Sequence, residues 1–167
     1  MRLKVLLARL LYWFISLKED PKKIFTGLEM SSNDEVLEIG CAIGYHTFPL
    51  ADIAEDGHVY AVDISEDLVE YAKKRKNENN QNLTFICEDA ENLSLKNKNF
   101  DKIVCFNTLH DLDSPRDAIQ NWLDHLKTDG LFLFKDAEIS PEGIVNYSDE
   151  KLSKVKKQNE IQVLKKT

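Results

Sequence analysis

A turn that suits nucleotide binding lies between Val36 and Gly44, where the chain reads Val-Leu-Glu-Ile-Gly-Cys-Ala-Ile-Gly. The apolar residues at its start predict a buried strand, and Gly40 allows the backbone to reverse sharply where that strand ends. Residues 45–54 carry apolar side chains at helical spacing, so the turn would open a helix whose free amide groups face a ligand. The spacing therefore predicts a cofactor site at this turn.

Asp63 lies 23 residues beyond Gly40, at the end of the next apolar segment. A carboxylate in this position can accept hydrogen bonds from both hydroxyl groups of a ribose. The alternative role of a strand-end aspartate is to cap the next helix, but Ser65 stands closer to the helix start, in front of Glu66 and Asp67. We therefore predict that Asp63 binds ribose.

The elements that position these residues follow an alternating pattern. Short apolar segments at residues 35–39, 58–62, 83–87, 102–106 and 131–134 alternate with helical patterns at residues 45–54, 66–79 and 115–126. This alternation is typical of a parallel sheet with crossover helices, which binds ligands at the carboxyl ends of its strands. The residues that follow the strands thus form one candidate site: 40–44, Asp63, Ile64, 88–90 and 107–111.

A nicotinamide dinucleotide would use a similar turn, but the glycine spacing argues against it. The dinucleotide fingerprint needs glycine at steps one, three and six, where this chain has Gly40, Ala42 and Tyr45. The methyl group of Ala42 and the ring of Tyr45 would obstruct a pyrophosphate. The turn therefore indicates a cofactor without one.

Five segments, in this order, resemble the motifs of class I S-adenosylmethionine-dependent methyltransferases: Val36-Leu-Glu-Ile-Gly-Cys-Ala-Ile-Gly44, Val59-Tyr-Ala-Val-Asp63, Glu88-Asp-Ala90, Phe100-Asp-Lys-Ile-Val104 and Leu126-Lys-Thr-Asp-Gly130. The resemblance covers residues 33–134 and is closest to the small-molecule branch that includes ubiquinone and menaquinone biosynthesis enzymes. It implies S-adenosylmethionine as cofactor, S-adenosylhomocysteine as product and a small-molecule methyl acceptor. The implied fold is α/β, a Rossmann-like, doubly wound, mostly parallel sheet with helices on both faces.

The resemblance also implies a role for each matching residue. The turn of Gly40, Ala42 and Gly44 would hold the methionine part of the cofactor, and Glu38 would order its amino group directly or through water. The remaining roles belong to residues at the ends of the later strands: Asp63 on the ribose, Ile64 on one face of adenine, Asp89 on the exocyclic amine, the Ala90 amide on a ring nitrogen, and Asn107 near the methionine amine.

His110 is the candidate catalytic residue, because it follows the fourth strand and can act as a general base toward a phenol, thiol or acidic carbon. Asp111 or Asp113 would orient it, and the alternative is a histidine of a surface loop. The segment Phe106-Asn-Thr-Leu-His110 replaces the family's Asn-Pro-Pro-aromatic sequence, which argues against an adenine or amide nitrogen as acceptor. Ala42 stands where the family usually has its middle glycine.

The chain is expected to form a single domain over residues 1–167, with an N-terminal helical segment (1–30), a cofactor-binding core (33–135) and a tail (136–167). Because only 32 residues remain from Asp136, the C-terminal antiparallel strands are expected to be shortened or partly missing. Residues 151–157 and 161–166 predict a hairpin, with a helix at 150–157 as the alternative. The shortened tail leaves two functions open: a complete methyltransferase, or a cofactor-binding module that acts with a partner chain.

Residues 3–17 are almost wholly apolar and predict a helix, which at ~1.5 Å per residue is too short to span a bilayer. We expect this helix to pack on the domain or on a partner chain, such as a second subunit; a substrate or a membrane interface is the alternative contact. Core packing is expected for Tyr12, Trp13 and Phe14, and a lid over the site is the alternative.

The net charge of −7 argues against nucleic acid as a partner, although residues 148–167 hold six lysines and three acidic residues. The chain has three cysteines, Cys41, Cys87 and Cys105, without the spacing of a zinc site or a disulfide framework. We therefore predict no metal, three buried free cysteines and a cytoplasmic location.

Overall fold

Seven strands form one sheet in the computed structural model, which describes residues 3–94, 98–138, 140, 143–144, 152–158 and 160–167. The strands are β1 (Glu35–Ile39), β2 (His58–Asp63), β3 (Leu83–Cys87), β4 (Phe100–Phe106), β5 (Leu126–Lys135), β6 (Leu152–Gln158) and β7 (Ile161–Lys166). Their order is β3-β2-β1-β4-β5-β7-β6, in which β1 to β5 are parallel and β7 is antiparallel to both neighbours. The predicted α/β, Rossmann-like sheet is confirmed.

Both faces of the sheet are covered by helices, because successive apolar side chains of each buried strand point to opposite sides. The helices are α1 (Leu3–Ser16), α2 (Thr47–Ile53), α3 (Glu66–Arg75) and α4 (Pro115–Asp124). Val36 of β1 packs in the same core cluster as Leu50 of α2 and Val69 of α3. Leu37, its neighbour, packs in the opposite cluster with Trp122 of α4.

The register brings the ends of four strands to one edge of the sheet. Ile39, the last residue of β1, pairs with Val62 of β2 and with Cys105 of β4. Asp63, the last residue of β2, pairs with Cys87 at the end of β3. The residues that follow these four strands therefore meet at a common edge.

Several predicted boundaries differ from the structure. α2 begins at Thr47 instead of Tyr45, and α4 ends at Asp124. α3 ends at Arg75 because the asparagine-rich loop after it bonds to itself, with the Asn77 amide donating to Asn80 Oδ1. β5 begins at Leu126, before the predicted Asp129–Gly130 turn. The turn is a local irregularity within β5, where the pairing with β4 changes register and Asp129 has a φ of 65°.

The C-terminal hairpin is confirmed, with β6 and β7 paired from Leu152↔Lys166 to Gln158↔Ile161. Both strands are short, at seven and six residues, so the C-terminal antiparallel strands are present in shortened form. β7 pairs with β5 through Leu133↔Val163, which joins the hairpin to the parallel part of the sheet. The predicted helix alternative at residues 150–157 is wrong for the residues described there.

α1 packs against α3, where the guanidinium of Arg9 lies 5.8 Å from the centre of the Tyr71 ring. Val5 is buried, but most apolar side chains of α1 face solvent. Core packing is wrong for Trp13 and Phe14, which are 55% and 59% exposed. Within the described residues, no helix combines the length and apolarity that crossing a bilayer requires.

The cysteines are free, as predicted, but their burial is not uniform. Cys41 and Cys105 are buried, whereas Cys87 at the end of β3 is exposed. Burial of Cys87 was therefore a wrong prediction, because the end of β3 lies at the open edge of the sheet. Among the described residues, no group of histidine, cysteine and acidic side chains is arranged to hold a metal.

Candidate cofactor site

A cavity of about 510 Å³ opens at the edge where β1, β2, β3 and β4 end. Seven of the nine predicted cofactor residues line it: Gly40, Ala42, Asp63, Ile64, Asp89, Ala90 and Asn107. Glu38 lies below the turn and is buried, and Gly44 lies beside Phe48. The volume falls within the range of small-molecule sites, so one cavity collects residues from four strand ends.

The glycine turn has a left-handed backbone at alternate residues, with φ values of 77° at Gly40, 47° at Ala42 and 82° at Gly44. A side chain on Gly40 would also collide with Thr108, because a Cβ there would lie 2.0 Å from Thr108 Oγ1. The φ of Ala42 explains why a glycine is favoured at that step. The turn is thus shaped by backbone conformation and by close packing against the loop after β4.

Both carboxylate oxygens of Asp63 accept backbone hydrogen bonds, and one of these bonds joins Asp63 to the glycine turn. Its Oδ2 accepts a 2.8 Å hydrogen bond from the Ala42 amide, and its Oδ1 accepts one of 2.8 Å from the Ser65 amide. Ser65 occupies the N-cap position of α3, but its side chain makes no capping hydrogen bond. Ser65 therefore stands at the predicted cap position without a side-chain hydrogen bond, and Asp63 lines the cavity.

The segment after β3 is ordered by its own acidic side chains. Asp89 Oδ1 accepts from the Glu91 amide and caps the short 3₁₀ helix Ala90–Asn92. The indole of Trp122 donates to the carbonyl of Ala90 at 2.8 Å, which ties the segment to α4. After β4, the Asn107 amide donates to the Lys135 carbonyl at 2.7 Å, and Asn107 has a φ of 51°. Both segments thus present a defined backbone to the cavity.

Glu38 is almost fully buried within β1, and its Oε2 has no hydrogen-bond partner among the described residues. Burial raises the pKa of Glu38 to about 7. The nearby Thr47 hydroxyl partly offsets this increase in the pKa of Glu38. In the part of the chain described, however, the Thr47 hydroxyl makes no hydrogen bond of good geometry. A buried carboxylate with an unpaired oxygen needs a donor or a cation, which a ligand above the turn can provide.

The charge of the cavity has one sign. Among the described residues that line it, five are acidic and none is basic, the acidic ones being Asp63, Asp89, Glu91, Asp111 and Asp113. A ligand with a pyrophosphate would meet repulsion here, which supports the sequence argument against a dinucleotide. A ligand with a positive charge fits the lining.

Helix α1 forms one wall of the cavity through Ala8, Leu11 and Tyr12. The Tyr12 ring stacks on Tyr45, with 4.9 Å between ring centres. Burial raises the pKa of Tyr12 above its ordinary value, and the carboxylates of Glu38 and Asp63 raise it further. Tyr12 therefore lines the cavity, whereas Trp13 and Phe14 do not, and a lid role for Tyr12 stays a prediction.

An aromatic cluster backs this side of the cavity. The ring of His46 lies edge-on to Phe106 at 5.2 Å and to Tyr12 at 6.5 Å, and both of these residues line the cavity. Burial, with a contribution from Lys135, lowers the pKa of His46 to about 4, so this histidine is neutral at physiological pH. The cavity thus has acidic and aromatic sides. His46 was not among the residues predicted from the sequence.

His110 lies at the rim of the cavity, between the lining residues Thr108 and Asp111. Its Nδ1 lies 3.0 Å from Oδ2 of Asp136, whose side chain is fully shielded from solvent. The hydrogen bond with Asp136 raises the pKa of His110. Asp136 therefore orients His110, whereas Asp111 lies 3.7 Å from Nε2, and the predicted choice of Asp111 or Asp113 as orienting residue was wrong. The strand-end rule, applied to β5, places Asp136 at the same edge of the sheet, but it does not select Asp136 as the partner of His110.

The chain is similar to known methyltransferases. A family model described as a methyltransferase domain matches residues 30–166. The chain is 36% identical over 104 residues to malonyl-[acyl-carrier protein] O-methyltransferase of Bacillus anthracis, which covers 62% of this chain and 38% of that protein. It is 31% identical over 99 residues to ubiquinone biosynthesis O-methyltransferase of Coxiella burnetii, covering 59% and 42%. The chain thus matches less than half the length of these curated relatives.

The fold is also found in solved structures. A SAM-dependent methyltransferase from Aquifex aeolicus superposes with a TM-score of 0.71 at 20% identity, covering 87% of both chains. A TehB-like SAM-dependent methyltransferase from Corynebacterium glutamicum gives 0.73 at 16% identity, covering 96% of both.

The donor set fits the cofactor of this family. S-adenosylmethionine carries a sulfonium and an amino group, and the cavity offers five carboxylates. The match over residues 30–166 covers the whole sheet, from β1 to β7. The chain therefore belongs to the class I S-adenosylmethionine-dependent methyltransferases.

Proposed function

We propose that this protein transfers a methyl group from S-adenosylmethionine to a small-molecule acceptor by in-line displacement. The observation that carries the proposal is the acidic cavity at the ends of β1 to β4, which gathers seven of the nine residues predicted to bind the cofactor. S-adenosylmethionine, when bound, supplies a methyl group on a positively charged sulfur. The residues of this chain then have to bind the cofactor, align the acceptor at about 3 Å and exclude water.

At the methionine end, the turn of Gly40, Ala42 and Gly44 approaches the ligand with its backbone, and Glu38 neutralises the amino group. The unpaired Oε2 of Glu38 supports this role, because ionisation of a buried carboxylate becomes favourable when a cation is bound nearby. Asn107, with its left-handed backbone after the end of β4, also lines the cavity.

At the adenosine end, Asp63 accepts hydrogen bonds from the ribose, and Ile64 packs on adenine. The amide bonds from Ala42 and Ser65 fix the Asp63 carboxylate before the ligand arrives, which limits the entropy lost on binding. Asp89 and the Ala90 amide form hydrogen bonds with the edge of the adenine ring. Their support is the 3₁₀ helix that Asp89 caps and that Trp122 anchors through the Ala90 carbonyl.

His110 acts as the general base that takes a proton from the acceptor, and Asp136 positions it. The Nδ1 of His110 is engaged by Asp136, which leaves Nε2 as the nitrogen that receives the proton. The two relatives reported above are both named O-methyltransferases. We therefore infer that the acceptor atom is an oxygen, for which a base of this strength is useful.

Titration calorimetry tests the binding half of the proposal. We expect heat on addition of S-adenosylmethionine and of S-adenosylhomocysteine, and none with NADH, because the acidic lining repels a pyrophosphate. If neither sulfur compound gives heat at high concentration, the proposal is refuted.

An activity assay tests the transfer half. We expect the release of S-adenosylhomocysteine to rise with an acceptor from pools of carboxylic acids and phenols, and to stay at background with amides. If the cofactor binds but no pool raises its turnover, the chain is a cofactor-binding module instead of an independent enzyme.

A further inference from the structure

The exposed apolar surface of the described chain is concentrated on α1. Nine large apolar side chains are exposed within the described residues, and eight of them lie on α1 or directly after it: Leu3, Leu6, Leu7, Leu10, Leu11, Trp13, Phe14 and Leu17. The ninth is Ile64, which lines the cofactor cavity. A contiguous apolar surface of this kind marks a contact site.

These side chains form one wide face. At 3.6 residues per turn they fall within an arc of about 160°, inside which α1 itself has no polar residue. Val5 and Tyr12 lie on the opposite side of the helix and face the domain. Lys4 and Arg9 lie at the two borders of the arc. We call this arc the α1 apolar face.

The charge around the α1 apolar face is positive. Residues 1–18 contain four basic residues, Arg2, Lys4, Arg9 and Lys18, and no acidic residue, in a chain whose net charge is −7. Aromatic and leucine side chains on one face, with basic residues along its borders, are typical of helices that lie in the plane of a lipid interface. Anionic lipid headgroups complement such borders.

We propose that the α1 apolar face docks on the surface of an anionic lipid bilayer, with the helix parallel to the membrane plane. A second copy of the chain fits this face less well. A symmetric contact would bring the basic borders of the two helices together, and two convex helices would share a seam narrower than the 160° arc. A bilayer covers the whole arc and neutralises its borders.

Docking in this orientation would bring the α1 wall of the cavity to the membrane surface. Leu11 lies at one edge of the α1 apolar face, is 57% exposed and also lines the cavity. An acceptor held in the bilayer would then lie beside the cavity. This consequence rests on the proposed methyltransferase function, whereas the docking itself does not.

Vesicle flotation with the full chain tests the docking. The probes are vesicles of phosphatidylcholine alone and vesicles with about 30% phosphatidylglycerol. We expect the protein to float with the anionic vesicles and to partition at least about tenfold more weakly onto the neutral ones. If the protein stays unbound with both, the proposal is overturned.

Tryptophan fluorescence locates the contact. The chain has two tryptophans, the exposed Trp13 and the buried Trp122. Vesicles with brominated acyl chains should quench Trp13, and Trp13→Phe should remove the quenched signal. Binding without quenching of Trp13 would show that another surface makes the contact, which contradicts the proposal.

Two variants separate docking from other causes. Leu10→Gln/Phe14→Gln keeps the net charge and should weaken flotation about tenfold or more, while S-adenosylhomocysteine affinity and thermal unfolding stay unchanged. Lys4→Gln/Lys18→Gln keeps the α1 apolar face. It should weaken binding to anionic vesicles and leave binding to neutral vesicles unchanged. If the wild type is instead a dimer that ignores vesicles, and Leu10→Gln/Phe14→Gln makes it a monomer, a second copy covers this face and the proposal is wrong. Because cofactor affinity is measured separately, failure of docking and failure of the proposed function are distinguishable.

Discussion

The Nδ1 atom of His110 lies 3.0 Å from Oδ2 of Asp136, although the two residues are 26 positions apart in the chain. Burial alone would raise the pKa of Asp136, but hydrogen bonds from the Glu138 amide and from His110 hold it below its usual value. A charged carboxylate thus faces the imidazole and favours its protonated form. The pair sits at the rim of the cofactor cavity, where β4 and β5 end side by side.

Replacing His110 with alanine should lower single-turnover methyl transfer about 100-fold near pH 7.5, because a general base typically contributes at least that much. Cofactor affinity should not change, since His110 does not line the cavity. Rapid-quench measurement of S-adenosylhomocysteine formation checks the rate. An unchanged rate would remove His110 from the mechanism.

Replacing Asp136 with asparagine should shift the pH profile of kcat/KM. The base acts when deprotonated, so activity rises as pH passes the pKa of His110, which Asp136 raises above 6.5. Asp136→Asn removes the negative charge and should move this rise to lower pH. The same raised pKa means that the pair stabilises the fold below about pH 6.5, and that this contribution is lost as pH rises through the pKa of His110 in the folded state. A profile that does not move would show that Asp136 only supports the fold.

Replacing Glu38 with glutamine should stabilise the ligand-free protein. The pKa of Glu38 is about 7 in the folded state and 4.5 as its ordinary value, so the folded state loses stability as pH rises between these values. The loss levels off once the pH exceeds the folded-state pKa and amounts to about 3 kcal/mol. Thermal unfolding from pH 5 to pH 8 should therefore show an advantage of Glu38→Gln that grows with pH.

The same carboxylate should make cofactor binding depend on pH. If ionised Glu38 receives the amino group of the cofactor, affinity for S-adenosylhomocysteine should rise about tenfold from pH 5.5 to pH 7, as the ionised fraction increases. Calorimetry with Glu38→Gln should give weaker binding and no such rise. Equal affinities at both pH values in the wild type would contradict a direct role for Glu38.

Replacing Gly40 with alanine should destabilise the fold by about 2–4 kcal/mol. Alanine at this position would have to keep the left-handed backbone of Gly40, and its Cβ would collide with Thr108. Each effect costs about 1–3 kcal/mol. Ala42→Gly is the matched control in the same turn, because its φ of 47° already suits glycine and stability should change little. Chemical denaturation compares the two variants, and equal effects would mean that Thr108 yields to the added methyl group.

Replacing Asp63 with asparagine should weaken S-adenosylhomocysteine binding about tenfold or more, since a hydrogen bond to a charged group contributes about 1.5–3 kcal/mol. Asp52→Asn is the matched control, because Asp52 pairs with Lys22 on the surface, away from the cavity lining. Calorimetry of both variants measures the difference. Similar affinities would argue that Asp63 serves only to hold the Ala42 amide.

Much of the fold and of the cavity follows from local sequence. The bounds of β1 and β3 agree with the prediction, because apolar runs framed by a glycine turn or a polar loop specify buried strands. Asp63 and Asp89 could be placed together because the carboxyl ends of parallel strands converge. Gly40 could be interpreted from its turn, and its φ of 77° confirms that interpretation.

Other features depend on contacts between distant segments. The sequence alone could not choose Asp136 over Asp111 or Asp113 as the partner of His110, since that choice depends on how β5 pairs with β4. Residues 3–17 predicted a helix, but only packing against α3 decides that Tyr12 reaches the cavity while Trp13 and Phe14 face outward. Apolar periodicity and glycine positions act over a few residues, so the sequence by itself determined the elements, the turn and the strand-end acids. The pairing of His110, the unpaired oxygen of Glu38 and the outward face of α1 arise when segments far apart in the chain pack, so only the tertiary structure decided them.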